Sequence, residues 1–196
     1  MKRAFDFFAS FFGLILLIPF SIIIGSFIKL DDRGPVFFIQ KRVGKGGKLF
    51  SLYKFRSMRV PKSLEEGSFE PGDSSRTTTV GKFLRRTKLD ELPQLINVLK
   101  GEMSLVGPRP EVEKWVAVYP ERWKRVLSIR PGMTDNSSII FRSEELLLAE
   151  SDDPGKTYKE VILPKKLDLY EDYVTNNTFL CDLKLIFKTF FSVLFK

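Results

Sequence analysis

The most apolar stretch of the chain lies at its start, where 22 consecutive residues from Phe7 to Ile28 carry no charge. As a helix this stretch would be ~33 Å long, which is enough to cross the ~30 Å hydrocarbon core of a bilayer. It is apolar on every side, unlike the surface helices of soluble domains. The pattern predicts a membrane-inserted helix within residues 1–30 and a separate domain over residues 31–196.

The residues leave two topologies open for this helix. Pro19 lies near its middle, where a proline removes a backbone hydrogen bond and bends the helix. Lys2 and Arg3 precede the apolar stretch, and Lys29 and Arg33 follow it. Because positive charge tends to stay on the cytoplasmic side, a helix that enters, bends and returns explains both observations. An ordinary span with a tolerated proline is the alternative.

Beyond the apolar stretch, strand-like and helical patterns follow one another. Val36–Gln40 and Lys48–Phe55 are rich in β-branched and aromatic residues, and the glycines at 44, 46 and 47 between them predict a hairpin. Helices are predicted over four segments: Val80–Thr87, about Asp90 to Gly101, Glu111–Val126 and Asp182–Lys196. The second of these has a predicted buried stripe of Leu92, Leu95, Ile96 and Leu99. The last of the four is amphipathic, either docked on the core or lying in a membrane interface.

These patterns together predict an α+β fold. It consists of a membrane-inserted N-terminal helix, whose topology these patterns leave open, and a compact, mainly helical domain that has a small β-hairpin and interfacial amphipathic helices. The two tryptophans, Trp115 and Trp123, are predicted to be either core residues or aromatic residues at a membrane interface.

Composition narrows the chemistry. The chain has no histidine, which excludes Ser-His catalysis and histidine-ligated metals. Its one cysteine, Cys181, excludes an intramolecular disulfide and fits a reducing compartment. The net charge of +8 suits a nucleic acid, an anionic membrane or a phosphorylated substrate, and the sum alone does not choose between them.

Asp90 and Glu91 form the most suggestive acidic pair. Pro93 is acceptable only in the first turn of its helix, so the pair sits at a helix N-terminus. Capping is the simple explanation, because acids suit the positive end of the helix dipole. Adjacent carboxylates among basic residues could instead hold Mg²⁺ or supply a nucleophile. Arg109 follows on a stiff Pro-Arg-Pro turn, either as a surface residue or as a bidentate phosphate ligand.

Two long motifs carry a family resemblance. Residues 88–110 read KLDELPQLINVLKGEMSLVGPRP, and residues 36–58 contain VFFIQKRVG and LYKFRSM. Both stretches closely resemble signatures of the bacterial sugar transferases, in particular the small monotopic phosphoglycosyl transferases. The likeness covers nearly the whole chain, although residues 134–145 depart from the usual family pattern.

The resemblance implies a function and its residues. Asp90 matches the nucleophile that attacks the β-phosphate of a UDP-sugar and releases UMP, and Glu91 matches its partner in a dyad associated with Mg²⁺. Polyprenol phosphate, undecaprenyl phosphate in bacteria, would then accept the phosphosugar and start glycan assembly. The candidate phosphate-binding residues are Lys54, Arg56, Arg85, Arg86 and Arg109.

The resemblance also implies where the protein acts. The family's re-entrant anchor would place both ends of the N-terminal helix and the catalytic domain on the cytoplasmic face of the bacterial inner membrane. Nucleic acid is then not an expected partner, and a homo-oligomer is compatible with the sequence. Two other classes remain as hypotheses: a membrane-anchored basic binding protein without catalysis, and an enzyme that hydrolyses polyprenol diphosphates.

Overall fold

The computed structural model describes residues 1–59 and 76–194 and shows a long N-terminal helix beside a small mixed domain. The helices in this part of the chain are α1 (Lys2–Asp31), α2 (Thr79–Thr87), α3 (Leu95–Lys100), α4 (Glu113–Val116), α5 (Pro120–Val126), α6 (Asn136–Ile140), α7 (Glu144–Ala149), α8 (Pro154–Thr157), α9 (Leu163–Asn176) and α10 (Phe179–Leu194). The strands are β1 (Phe37–Val43), β2 (Leu49–Phe55), β3 (Ser104–Val106) and β4 (Gly132–Thr134).

The predicted hairpin is confirmed. Strands β1 and β2 pair antiparallel from Phe37 opposite Phe55 to Val43 opposite Leu49. Gly46 and Gly47 in the connecting turn have φ of 67° and 77°, a backbone region that glycine enters at little cost. Strand β1 extends three residues beyond the predicted end at Gln40. The second sheet is a short parallel pair in which β3 runs beside β4.

The prediction of a single helix over Glu111–Val126 is wrong. The chain forms α4 and α5 there, and Pro120 is the first residue of α5. A proline at that position lacks the N–H that would continue the preceding helix, but its φ suits a new first turn. Trp115 and Trp123 are both buried and pack in the main core with α9. They are therefore core residues of the domain.

A helical segment is present where the sequence predicted one, from about Asp90 to Gly101. Its first turn and its buried face differ from the prediction. Residues Leu89–Gln94 form a 3₁₀ turn that contains Pro93, and α3 follows. Of the predicted stripe only Leu95 is buried, with 8% of its surface exposed, whereas Asn97 and Val98, which are not in the stripe, are completely buried. The reason is that α3 packs between β2 and α1, so two of its faces are covered.

Both ends of α1 are attached to the same domain. At its first turn, Lys2 donates to the carbonyl of Val106 at 2.9 Å and pairs with Asp182, and Arg3 donates to the carbonyls of Val98 and Leu99. The Asp6 carboxylate accepts hydrogen bonds from Ser104 Oγ and the Leu105 amide. At the last turn, Asp31 accepts from the Val80 amide, and Ile28 is buried with Phe55 and Leu84.

The middle of α1 is covered least. Large apolar side chains such as Leu16, Phe20 and Ile22 are between 60% and 71% exposed. Within the described residues, α1 is the one helix long and apolar enough to cross a membrane, and Pro19 lies inside it. On α10, Phe187 and Phe190 are also about 60% exposed, so this face of α10 is not docked on the core.

Candidate active site

A sharp turn between two helical segments presents the acidic pair. Thr78 caps the start of α2, where its hydroxyl accepts from the Gly81 amide, and Lys88 follows the helix as its C-cap residue. Lys88 has φ of 58° and ψ of 14°, a left-handed conformation that costs a non-glycine residue about 1–2 kcal/mol. The chain then enters the 3₁₀ turn that holds Asp90 and Glu91. Lys88 is the N-cap residue of that turn, so Asp90 does not occupy the predicted capping position.

Glu91 brings three distant segments together. Its carboxylate accepts a hydrogen bond from Lys54 Nζ on β2 at 2.9 Å. Arg109, on the turn after β3, binds the same carboxylate through both terminal nitrogens, with Nη1 at 3.2 Å from Oε2 and Nη2 in contact with Oε1. A planar guanidinium matches a carboxylate in this bidentate arrangement. The site therefore contains Glu91 paired with two cations.

Asp90 occupies a different environment from its neighbour. Its side chain is buried, and Oδ1 has no hydrogen-bond partner among the described residues. Burial and the adjacent charge of Glu91 raise the pKa of Asp90 to about 6, against the opposing effect of Lys54, Lys88 and Arg85. An ionised carboxylate with a free oxygen is a competent nucleophile or metal ligand.

The pKa of Glu91 is shifted in the opposite direction, below its ordinary value. Burial disfavours its ionisation, but the charges of Arg109 and Lys54 outweigh that penalty and hold the pKa of Glu91 well below its usual range. Conversely, Glu91 raises the pKa of Arg109. Two adjacent carboxylates with their pKa values pushed apart are typical of sites in which each has a separate role.

The structure brings some of the predicted phosphate-binding residues together and separates others. Lys54 and Arg109 contact Glu91, and the charge of Arg85 acts on Asp90. Arg86, the next residue of α2, is exposed. Arg56 is buried, and its Nη2 donates to the backbone carbonyl of Asp32 and lies 3.4 Å from the Asp32 carboxylate. Its visible role is to connect the end of β2 to the end of α1.

Two further residues belong to this site and were missing from the predicted set. Lys88 acts electrostatically on both carboxylates of the pair. Asp135, buried in the segment that departs from the family pattern, contributes to the raised pKa of Arg109. The position of Lys88 two residues before Asp90 was a usable sequence signal. Asp135 is 26 residues beyond Arg109 in the sequence, so only the fold shows their proximity.

The acidic pair fits a divalent cation that takes its remaining ligands from water and substrate rather than from the protein. Within residues 1–59 and 76–194, no group of three or more acidic, cysteine or histidine side chains could enclose a metal. The free Oδ1 of Asp90 is the available protein oxygen, because Glu91 is engaged by Lys54 and Arg109. Mg²⁺ commonly binds through one or two carboxylates, with water and substrate phosphate completing its octahedral shell.

The structure combines one long apolar helix with an acidic pair set among cations, and sequence similarity identifies the class of protein. The chain belongs to the bacterial sugar transferase family, whose model matches residues 1–196. It is therefore a transferase by family.

Among individual proteins, the chain is 39% identical to the exopolysaccharide production protein PSS of Rhizobium leguminosarum bv. phaseoli, over 99% of this chain and 95% of that protein. It is 34% identical to the UDP-N-acetylgalactosamine-undecaprenyl-phosphate N-acetylgalactosaminephosphotransferase of Aeromonas hydrophila, over 99% of this chain and 44% of that longer protein. It is 36% identical to the undecaprenyl-phosphate glucose phosphotransferase of Komagataeibacter xylinus, over 96% of this chain and 35% of that protein.

Proposed function

We propose that this protein transfers a sugar 1-phosphate from a UDP-sugar to a polyprenol phosphate, the undecaprenyl form in bacteria, and releases UMP. The observation that carries the proposal is the buried Asp90 carboxylate, with a free oxygen, beside a Glu91 whose charge is matched by Lys54 and Arg109. The names of two relatives, both undecaprenyl-phosphate sugar phosphotransferases, support the same reaction class.

The reaction would proceed in two displacements at phosphorus. First, one oxygen of the Asp90 carboxylate attacks the β-phosphorus of the UDP-sugar, the bond from that phosphorus to the bridging oxygen breaks, and UMP leaves with the electron pair. A phosphosugar is then bound covalently to Asp90. Second, a phosphate oxygen of the polyprenol phosphate attacks the same phosphorus, and the Asp90 carboxylate is released. Because the pKa of Asp90 is about 6, the carboxylate is mostly ionised at neutral pH and needs no histidine base.

The surrounding cations would supply electrostatic stabilisation. Phosphoryl transfer depends mainly on positioning and on neutralising the phosphate charges. Lys54, Arg85, Lys88 and Arg109 already act on the acidic pair, so a diphosphate placed against Asp90 would meet the same positive charges. Mg²⁺ held at the Asp90 carboxylate, with water and substrate phosphate as its other ligands, would add Lewis-acid stabilisation of the phosphate oxygens. We assign no direct phosphate contact to Arg56, because it is bound to Asp32.

UMP production tests the proposed function directly. Purified protein in detergent or nanodiscs, given a UDP-sugar, polyprenol phosphate and Mg²⁺, is expected to release UMP in step with formation of the polyprenyl-diphosphate-sugar. A panel of UDP-sugars would identify the donor. Absence of UMP with every donor would favour the membrane-anchored binding protein, whereas consumption of the lipid diphosphate without a nucleotide donor would favour the hydrolase.

Arg109→Lys is expected to lower kcat/KM roughly ten- to a hundredfold although the positive charge is retained. Lysine lacks the planar fork that contacts both oxygens of Glu91. Steady-state UMP release measures the effect. Arg122→Lys is the matched control, because Arg122 pairs with Asp168 and Glu171 on the surface between α5 and α9. Activity of Arg109→Lys equal to that of the parent would make Arg109 a structural turn residue.

We also propose that α1 is re-entrant, entering the cytoplasmic face of the inner membrane and returning to it. A straight span would carry the first turn of α1 to the far side of the bilayer. In the structure that turn is bound to the same domain as the last turn, through Lys2, Arg3 and Asp6 at one end and Asp31 at the other. The exposed apolar middle around Pro19 would be the part that lies in the lipid.

Thiol labelling in whole cells measures this topology. A cysteine inserted between Met1 and Lys2, in a Cys181→Ser background, is expected to react with a membrane-impermeant reagent only after the cells are permeabilised. The insertion leaves Lys2 in place, and Met1 is 97% exposed. The native Cys181, which is exposed on the domain, reports the domain's side in a separate sample. Labelling of the inserted cysteine in intact cells would establish a single span instead.

A further inference from the structure

A buried polar network lies behind the turn that carries Arg109. Glu111, two residues further on, is 9% exposed. Its carboxylate accepts hydrogen bonds from Arg42 Nη1 at 3.0 Å, from the Val112 amide at 3.0 Å and from the Tyr158 hydroxyl at 2.9 Å. A carboxylate with this little exposure persists only when its oxygens are satisfied, as they are here.

The same network attaches the backbone of the turn to the hairpin. The Val43 amide donates to the carbonyl of Glu111 at 2.9 Å, and Arg42 Nη1 also lies 3.3 Å from the carbonyl of Pro110. The residues just after Arg109 are thus held on β1, the strand that pairs with the Lys54 strand.

The residues before Arg109 are attached elsewhere. The Gly107 amide donates to the carbonyl of Thr134 at 3.0 Å, and the Gly132 amide donates to that of Pro108 at 2.9 Å. The turn is therefore attached to β4 on one side of Arg109 and to β1 on the other. Moving either attachment would move the guanidinium relative to Glu91.

Tyr158 joins the network from the C-terminal part of the chain, 47 residues beyond Glu111. It begins a π-helical turn, Tyr158–Ile162, an irregularity that is frequent at functional sites. Its ring packs against Trp115, with ring centroids 4.8 Å apart, and only 2% of the residue is exposed. Burial and the charge of Glu111 raise the pKa of Tyr158, so its hydroxyl stays protonated and donates to the carboxylate.

We propose that Tyr158 and Glu111 are positioning residues for Arg109. The Tyr158 hydroxyl orients the Glu111 carboxylate, Glu111 and Arg42 hold the turn, and the turn sets where the guanidinium meets Glu91. The inference rests on the proposed function and extends it to residues that do not touch the reacting groups. Displacement of a catalytic group by about 1 Å can cost roughly a hundredfold in rate, so one hydroxyl behind the turn can matter.

A double-mutant cycle tests the inference. Tyr158→Phe keeps the ring and removes one hydroxyl, and it is expected to lower kcat/KM for UMP release about tenfold. In an Arg109→Lys background, where the bidentate contact is already lost, Tyr158→Phe is expected to cause less than a twofold further decrease. Residues that act through one another show this lack of additivity. A purely structural role for Tyr158 would lower activity equally in both backgrounds.

Tyr119→Phe is the matched control. The Tyr119 hydroxyl donates to the carbonyl of Lys159 at 3.1 Å, in the same π-helical turn, and is directed to that carbonyl rather than to Glu111. We expect parent-like kcat/KM for Tyr119→Phe in both backgrounds. Thermal unfolding of each variant in the same detergent corrects for loss of folded protein, and Glu111→Gln provides a second variant that is expected to repeat the non-additive pattern.

The possible results separate this inference from the proposed function. An active parent with Tyr158→Phe unchanged, or with equal decreases in the two backgrounds for both Tyr158→Phe and Glu111→Gln, would overturn the inference alone. A parent that releases no UMP from any donor would overturn the proposed function and this inference with it. A decrease that occurs in the parent background and is absent from the Arg109→Lys background would establish the positioning role.

Discussion

Asp90→Asn is expected to abolish UMP release, with a loss on the order of 10³-fold or more, because an amide is not a nucleophile toward phosphorus. Mass spectrometry should show the second consequence. The parent, incubated with its UDP-sugar and no acceptor, is expected to gain the mass of a phosphosugar on a peptide that contains Asp90, and the variant is expected to gain none.

The stability of Asp90→Asn is expected to be no lower than that of the parent in metal-free buffer at pH 7. The folded-state pKa of Asp90, about 6, lies above its ordinary value of 3.8, so the ionised form disfavours the fold. The penalty is present above the folded-state pKa and disappears as the pH falls from about 6 toward 4. Activity lost without stability lost would mark a residue kept for function.

Asp168→Asn is the matched control for this variant. Asp168 makes an ion pair with Arg122, and its side chain is 70% exposed, so an identical substitution there should leave UMP release unchanged. Turnover by Asp90→Asn at a rate near that of the parent would show that Asp90 is not the nucleophile. A parent that turns over without an adduct, under rapid quenching, would point to direct attack by the acceptor.

Glu91→Gln is expected to lose both activity and stability. The pKa of Glu91 is lowered in the folded protein, so its ionised form stabilises the fold at neutral pH, and that stabilisation is lost as the pH falls through the ordinary value of 4.5 and below. A neutral amide would leave Lys54 and Arg109 facing each other without the shared anion. The Glu91, Lys54 and Arg109 side chains are 13%, 20% and 29% exposed, so the expected loss is below the ~3–5 kcal/mol of a fully buried pair, and chemical denaturation would measure it.

A second substitution separates the loss of activity in Glu91→Gln from its loss of stability. Lys54→Met in the Glu91→Gln background removes one of the two unpaired cations, so the double variant is expected to regain stability relative to Glu91→Gln while remaining inactive. Asp168→Asn is the control, because Asp168 pairs with Arg122 through a side chain that is 70% exposed, and such exposed pairs contribute about 1 kcal/mol or less. If Glu91→Gln unfolds at the same denaturant concentration as the parent, the three-way pairing is wrong.

The local elements were largely predictable because their signals lie within a few residues of one another. Glycines at 46 and 47 between two β-branched and aromatic runs were enough for the hairpin, and Val80–Thr87 was enough for α2. The single helix predicted over Glu111–Val126 is wrong although the signal is local, because Pro120 marks the start of a new helix. The 22 uncharged residues likewise predicted a long apolar helix, and the structure has one over Lys2–Asp31.

The choice of partners for the charges was not predictable in the same way. Five basic residues were phosphate candidates from the sequence, and their positions along the chain did not show which of them contact the acidic pair. The structure places Lys54 and Arg109 on Glu91, whereas Arg56 is bound to Asp32 and Arg86 is exposed. Charge interactions depend on distance through space and on burial, and neither quantity can be read from spacing along the chain.

The sequence by itself therefore determined the class of protein, the long apolar helix, the hairpin and the position of the acidic pair at the start of a helical turn. Only the tertiary structure decided which cations neutralise Glu91, that Asp90 keeps a buried oxygen free, and that both ends of α1 are bound to one domain. The physical reason is the distance along the chain over which each kind of interaction acts. Backbone preferences act over a few neighbouring residues, whereas the site is assembled from segments around residues 54, 90 and 109 that meet only when the helices and strands pack.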